Sequence, residues 1–159
     1  MKFYLLVGCL SVLLSACQKK SGTDPAEPVN VCPAGNLAMT ADAGYQKILG
    51  SWQWAQDELT QRGAGTSYQT PASTGKNLRL EFRADRSYQV IENAAVSEYG
   101  IYALRQAGTD PVLFLDLTPT GKDPNGGVLI TLCDEGLVLL GGANDAGPNR
   151  SFRRIPGTR

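Results

Sequence analysis

Four cysteines (Cys9, Cys17, Cys32 and Cys133) and the complete lack of histidine limit the chemistry open to this chain. Without histidine there is no Ser-His-Asp or Cys-His arrangement and no imidazole general base. Neither Cys32 nor Cys133 has a second Cys close by, so a Cys/His zinc site is excluded on ligand count. Glu92 and Glu98 flank a turn and would work as a pair only if both faced one interior; solvated strand residues account for them as well. Asp134-Glu135, Asp145 and Asp123-Pro124-Asn125 offer oxygen ligands at spacings that match no calcium loop. Gly126-Gly127 and Gly141-Gly142 lack the spaced glycines and lysine of a phosphate loop. All of these read as turns, and the expectation is a non-enzymatic protein with no metal site and no cofactor.

Aromatic side chains are the remaining candidates, because aromatics that line a small barrel stack on apolar ligands. Trp54, Tyr68, Tyr88 and Tyr102 are the expected ligand-binding set. Trp52 reads as core packing, and Tyr68, beside a long polar loop, reads as a rim contact. Lys2 is the only charge in residues 1–16, so the chain without them has 14 basic and 15 acidic side chains. A net charge near zero gives no electrostatic reason to expect a nucleic-acid partner. Arg150, Arg153 and Arg154 are too few to form a phosphate-binding groove and read as a solvated barrel rim.

The address is the clearest message. Lys2 supplies a positive start, residues 3–14 an apolar run, and Leu14-Ser15-Ala16-Cys17 its end, which is the pattern of a secretory signal peptide over 1–16. The apolar run is too short to span a bilayer. Its last four residues resemble the lipobox of bacterial lipoproteins, which implies lipidation of Cys17 and removal of the residues before it. The alternative is an ordinary secreted protein cut near Ala16. Gln18, with no Asp at that position, is similar to lipoproteins sent to the outer membrane, so the implied location is the cell envelope, with the bilayer as partner through acylated Cys17. With Cys9 discarded and Cys17 acylated, Cys32 and Cys133 remain in a compartment where disulfides persist, and a Cys32–Cys133 bond is the favoured reading over two buried thiols.

Residues 17–31 are polar, carry prolines and have no hydrophobic period, and read as a flexible tether. A short helix is expected near 41–48, with Thr40 as N-cap and Gly50 beyond its end. From Gly50 the chain changes to strands. Trp52 and Trp54 share a face of the first strand, residues 60–76 read as a long polar loop, and Leu78, Leu80 and Phe82 alternate with Arg79, Glu81 and Arg83. Asp85-Arg86 turns the chain into Tyr88, Val90 and Ile91. Further strands are expected near 97–104, 111–118, 127–132, 137–141 and 151–155, joined by turn residues. Short strands joined by turns predict an all-β antiparallel meander, closed into a small up-and-down barrel to remove its edges.

The run Ile48-Leu49-Gly50-Ser51-Trp52-Gln53-Trp54 resembles the opening strand of bacterial lipocalin-like domain proteins, with the Gly-x-Trp of lipocalins at Gly50 and Trp52. Residues 80–88 are similar to that family's central hairpin, with Arg86 where Gly is usual. Residues 70–75 are similar to a loop of its lipoprotein members, and 151–155 to its closing strand. The resemblance covers roughly 47–156 and implies an eight-stranded barrel within a domain over 32–156. It also implies that a late arginine, Arg153 or Arg154, packs across the Trp52 ring. Two functions fit: binding of a small apolar ligand in or at the mouth of the barrel, or contact of a filled barrel with an envelope protein. The anchor yields the first test. Cys17→Ser is expected to release the protein from the membrane fraction, and undiminished retention without acylation would refute the lipobox reading.

Overall fold

The computed structural model describes residues 27–33, 39–61, 63–106, 108, 112–122, 126–141 and 147–157. The expected leader, Cys17, most of the tether, and the loop residues Asp123, Asn125, Gly142 and Asp145 lie outside them.

The first element is a helix, α1 (Ala41–Ile48). Thr40 caps it through Oγ1, which accepts the Ala43 N–H, while Asp42 and Lys47 complement the dipole at its two ends. Gly44 allows the helix to sit close: a Cβ there would press into the side chains of Leu104 and Leu113. Nine strands follow: β1 (Gly50–Gln61), β2 (Gly65–Gln69), β3 (Leu78–Phe82), β4 (Ser87–Glu92), β5 (Ala95–Gln106), β6 (Leu113–Pro119), β7 (Val128–Leu132), β8 (Gly136–Leu140) and β9 (Asn149–Arg154). A one-turn helix, α2 (Pro71–Thr74), separates β2 from β3.

Consecutive strands from β3 to β9 pair antiparallel, and β9 returns to pair with β1. The result is a closed up-and-down barrel of eight strands, β1 and β3–β9, with β2 as an extra. β1 makes this possible by its length. Gly50–Gln53 pair with β3, and its far half, Asp57–Gln61, runs past the end of β3 to pair with β2. Residues 60–76, read from sequence as loop, therefore contain a strand and a capped helical turn. Both are polar and mostly exposed, so no buried face imposes the alternation that marks a strand.

Alternation does mark β3. Leu80 and Phe82 point into the barrel beside Trp52, Tyr88 and Phe152, whereas Arg79 and Glu81 point outward and pair at 3.0 Å. The turn into β4 explains the unusual Arg86. Its N–H donates to the Arg83 carbonyl, and Arg86 itself is left-handed (φ 65°), the bulge position that glycine usually fills. Its guanidinium lies 4.4 Å above the Tyr45 ring of α1. Asp85 accepts from the N–H and hydroxyl of Ser87, bonds that hold its carboxyl below the usual carboxylate range.

Two devices close the α1 end of the barrel. In the first, Arg154 stacks 4.0 Å from the centre of the Trp52 ring. Its guanidinium donates to the carbonyls of Leu49 and Lys47 at the end of α1 and of Asp134 in the β7–β8 turn. Trp52 in turn donates Nε1–H to the Ile48 carbonyl at 2.7 Å. Of the two adjacent arginines, Arg154 is thus the one across the Gly-x-Trp ring, and Arg153 stays exposed. The second device is the Cys32–Cys133 disulfide, with Cα atoms 5.8 Å apart. Around it the end of the expected tether is not loose. Val31 is buried, and the Gln56 amide clasps the backbone beyond it, accepting the Val29 N–H and donating to the Glu27 carbonyl.

Truncating the fully buried Trp52 to Ala is expected to cost about 3–5 kcal/mol. Arg154→Ala removes charged hydrogen bonds to three carbonyls and should cost about 2–3 kcal/mol. Arg79→Ala and Arg153→Ala, on the outer face, should each cost less than about 1 kcal/mol. Urea unfolding of the four variants checks the order; equal losses at Arg153 and Arg154 would contradict the clasp.

Candidate functional site

A bulge sets the geometry of the open end. The register between β1 and β9 shifts between Trp54 and Gln56. Ala55 is the extra residue, so the inward face passes from Trp54 to Asp57 and Gln56 turns outward to residues 27–33, the strap that crosses the barrel wall. Beside them, Arg150, the second residue of β9, stands two residues before the inward-facing Phe152. Leu78 opens β3, Glu92 ends β4, Gln69 ends β2, and Lys76 comes from the connection between α2 and β3. Together these residues and Val90 line a pocket of about 270 Å³ at the barrel mouth.

Its charges differ in how firmly they are held. Asp57 is 5 % exposed, and its carboxylate is fully engaged. Trp54 donates Nε1–H to Oδ1 at 2.8 Å, and Arg150 makes a two-pronged pair through Nε and Nη2, each at 2.8 Å. This planar fork-to-carboxylate arrangement fixes the guanidinium. At the outer lip Lys76 and Glu92 stand 3.8 Å apart, and both are substantially exposed. Such a pair is weak and opens readily.

Of the expected ligand-binding residues, only Trp54 lines this pocket. Tyr68 lies opposite Glu58 in β2, on the face away from Asp57 and Gln69. Tyr88 is deep in the wall, and its hydroxyl donates to Glu98 at 2.8 Å. Burial, with that bond second, pushes its ionisation far above the ordinary tyrosine range, so it remains a neutral donor. Tyr102 is at the opposite end, edge-on to Phe82, with its hydroxyl on the Arg83 carbonyl. Burial raises it too. Alternation puts Tyr88 and Tyr102 inside the barrel, but there they fill it, and the four aromatics do not converge.

The two glutamates are likewise separated: Glu92 is at the mouth, and Glu98 is engaged by Tyr88 and, at 3.8 Å, by Lys122. The three late arginines, expected on a solvated rim, take three places instead: Arg150 in the mouth, Arg153 outside and Arg154 on Trp52. No group of three or more Asp, Glu and Cys side chains suited to a metal ion occurs among the described residues. Three larger grooves lie elsewhere among the described residues. One of about 640 Å³ runs between the strap and Arg153, and one of about 410 Å³ lies beside α1 between Tyr45 and Arg86. The third, of about 350 Å³, is a shallow groove along residues 49–51 and 81–84. One polar group in each of the first two grooves is spent on structure. Arg154 is committed to carbonyls, and Tyr45 both donates to and accepts from the Leu104 backbone.

Comparison with protein-family models, curated proteins and solved structures returned no match.

Sequence reasoning missed Asp57, Lys76 and Arg150. Asp57 and Arg150 are 93 residues apart, and only barrel closure joins them. Arg150→Ala is expected to destabilise by about 1–3 kcal/mol, because the Asp57 carboxylate stays buried with one partner fewer. Asp57→Asn combined with Arg150→Ala should lose less than the two single losses added together. A double-mutant cycle in urea measures this, and simple additivity would show the pair to be uncoupled.

Proposed function

We propose that this chain is a lipid-anchored envelope protein whose barrel binds a small molecule at its mouth. The observation that carries the reading is the pocket above Trp54, an indented, part-enclosed site with a fixed guanidinium at the end away from the α1 plug. Below it Trp52, Tyr88, Phe82, Leu115 and Phe152 fill the barrel, which favours the mouth over a deep apolar cavity. The residues 14–17 that resemble a lipobox, the Gly-x-Trp at Gly50 and Trp52, and the Arg154 clasp support an outer-membrane lipoprotein of lipocalin-like type. The reading is of binding and not catalysis, with Arg150, Lys76, Glu92 and Trp54 as contacts.

A second reading, contact with an envelope protein, is favoured by one patch. Val96, Tyr99 and Ile101 are the exposed large apolar side chains among the described residues, at 53 %, 57 % and 61 %, all on β5. Gly100 lies between two of them, where a Cβ would collide with the Thr118 carbonyl, so β5 and β6 approach closely beneath the patch.

Native mass spectrometry of the protein purified from its own host is expected to show a retained small molecule. It should be lost from an Arg150→Gln variant that keeps its melting transition and retained in Ile101→Ser. Absence of any small molecule, with a co-purifying protein lost in Ile101→Ser, would replace the first reading with the second.

A further inference from the structure

We infer that the mouth pocket takes a zwitterion of amino-acid size: one carboxylate and one ammonium on a short aliphatic body. The inference rests on the mouth being a binding site and names the ligand class.

The pocket carries two cations, Lys76 and Arg150, and two carboxylates, Asp57 and Glu92, so its charge sums to zero. A simple anion or cation would leave one sign uncompensated in a part-enclosed space. A wholly apolar ligand would strip water from the two lip charges and give nothing in return. A molecule with both poles compensates both signs.

The positions of the groups assign the poles. Arg150 meets Asp57 through Nε and Nη2 only, so Nη1 has no hydrogen-bond partner among the described residues and its two N–H groups suit a ligand carboxylate. Asp57 is engaged at both oxygens by Arg150 and Trp54, and its part is to aim the guanidinium. Glu92 is tied only by the loose contact with Lys76. When that pair opens, Glu92 accepts the ligand ammonium and Lys76 turns to the carboxylate. Trp54, Leu78 and Val90 supply an apolar wall for the carbon body. A volume of about 270 Å³ lies just below the usual range for drug-sized ligands and has room for a molecule of amino-acid size.

The test uses four probes of one carbon skeleton on the full-length chain: leucine, isocaproate (no amine), isoamylamine (no carboxylate) and isoamyl alcohol (neither). The readout is the indole N–H resonance of Trp54, with that of Trp52 at the far end as internal reference. Leucine is expected to shift Trp54 saturably, with the three analogues at least about tenfold weaker, since each lacks a charge-assisted contact. Glu92→Gln should remove the preference for leucine over isocaproate while leaving Trp52 unmoved. Analogues that bind as well as leucine, or isoamyl alcohol binding best, would overturn the zwitterion and leave a binding mouth intact. No shift with any probe would also overturn it. The retained-molecule measurement then decides separately whether the mouth binds anything.

Discussion

One guanidinium stacked on one indole organises the closed end of this barrel. Trp52 belongs to the first barrel strand and Arg154 to the last, so their contact exists only once the sheet has closed on itself. The cation also ends α1, where helix carbonyls lack intrahelical partners. Three structural facts therefore share one cause: the barrel is sealed, the helix is docked across its floor, and the β7–β8 turn is tied beneath. The Lys47–Asp134 ion pair at 2.9 Å and the disulfide add to the same junction without replacing it.

Rigidity at one end leaves the other free to vary. The floor spends its polar groups on backbone carbonyls, whereas the mouth keeps charged side chains whose partners are other side chains. Asp57 and Arg150 form a fixed fork, and Lys76 and Glu92 a loose lip. A binding surface that combines one held and one swinging charge pair has both orientation and access. The filled interior between the ends isolates them, so the mouth can change its residues without disturbing the clasp.

Much of the frame was legible because it depends on local pattern. The Thr40 cap and the stop before Gly50 placed that helix at its observed bounds. Period-two alternation placed β3, and cysteine counting found the disulfide. What escaped depends on partners distant in sequence. β2 has no buried face and is a strand only because β1 outruns β3. The bulge at Ala55 exchanges the faces of Gln56 and Asp57, which no periodicity announces. The mouth follows from that exchange, so aromatics drew attention while the charges that line it read as surface. Arg154 was half legible: family resemblance narrowed the choice to two adjacent residues, and strand parity made it.

The double role of β1 has a consequence for how the chain matures. Synthesis delivers a protein from its N-terminus, and β1 emerges with its β3 and β2 partners close behind. Its other edge waits for β9, about 100 residues later in the sequence. Cys32 waits over a similar distance, 101 residues, for Cys133. For that interval the nascent chain carries an open strand edge and a reactive thiol at once, the two features most prone to wrong pairing. Both hazards end late in delivery order, because Cys133 and the sealing strand β9 (Asn149–Arg154) both lie in the last part of the chain. The covalent and non-covalent closures are thus both late in delivery, and the pairings open to the chain before them are those of sequence neighbours, whose contacts are local.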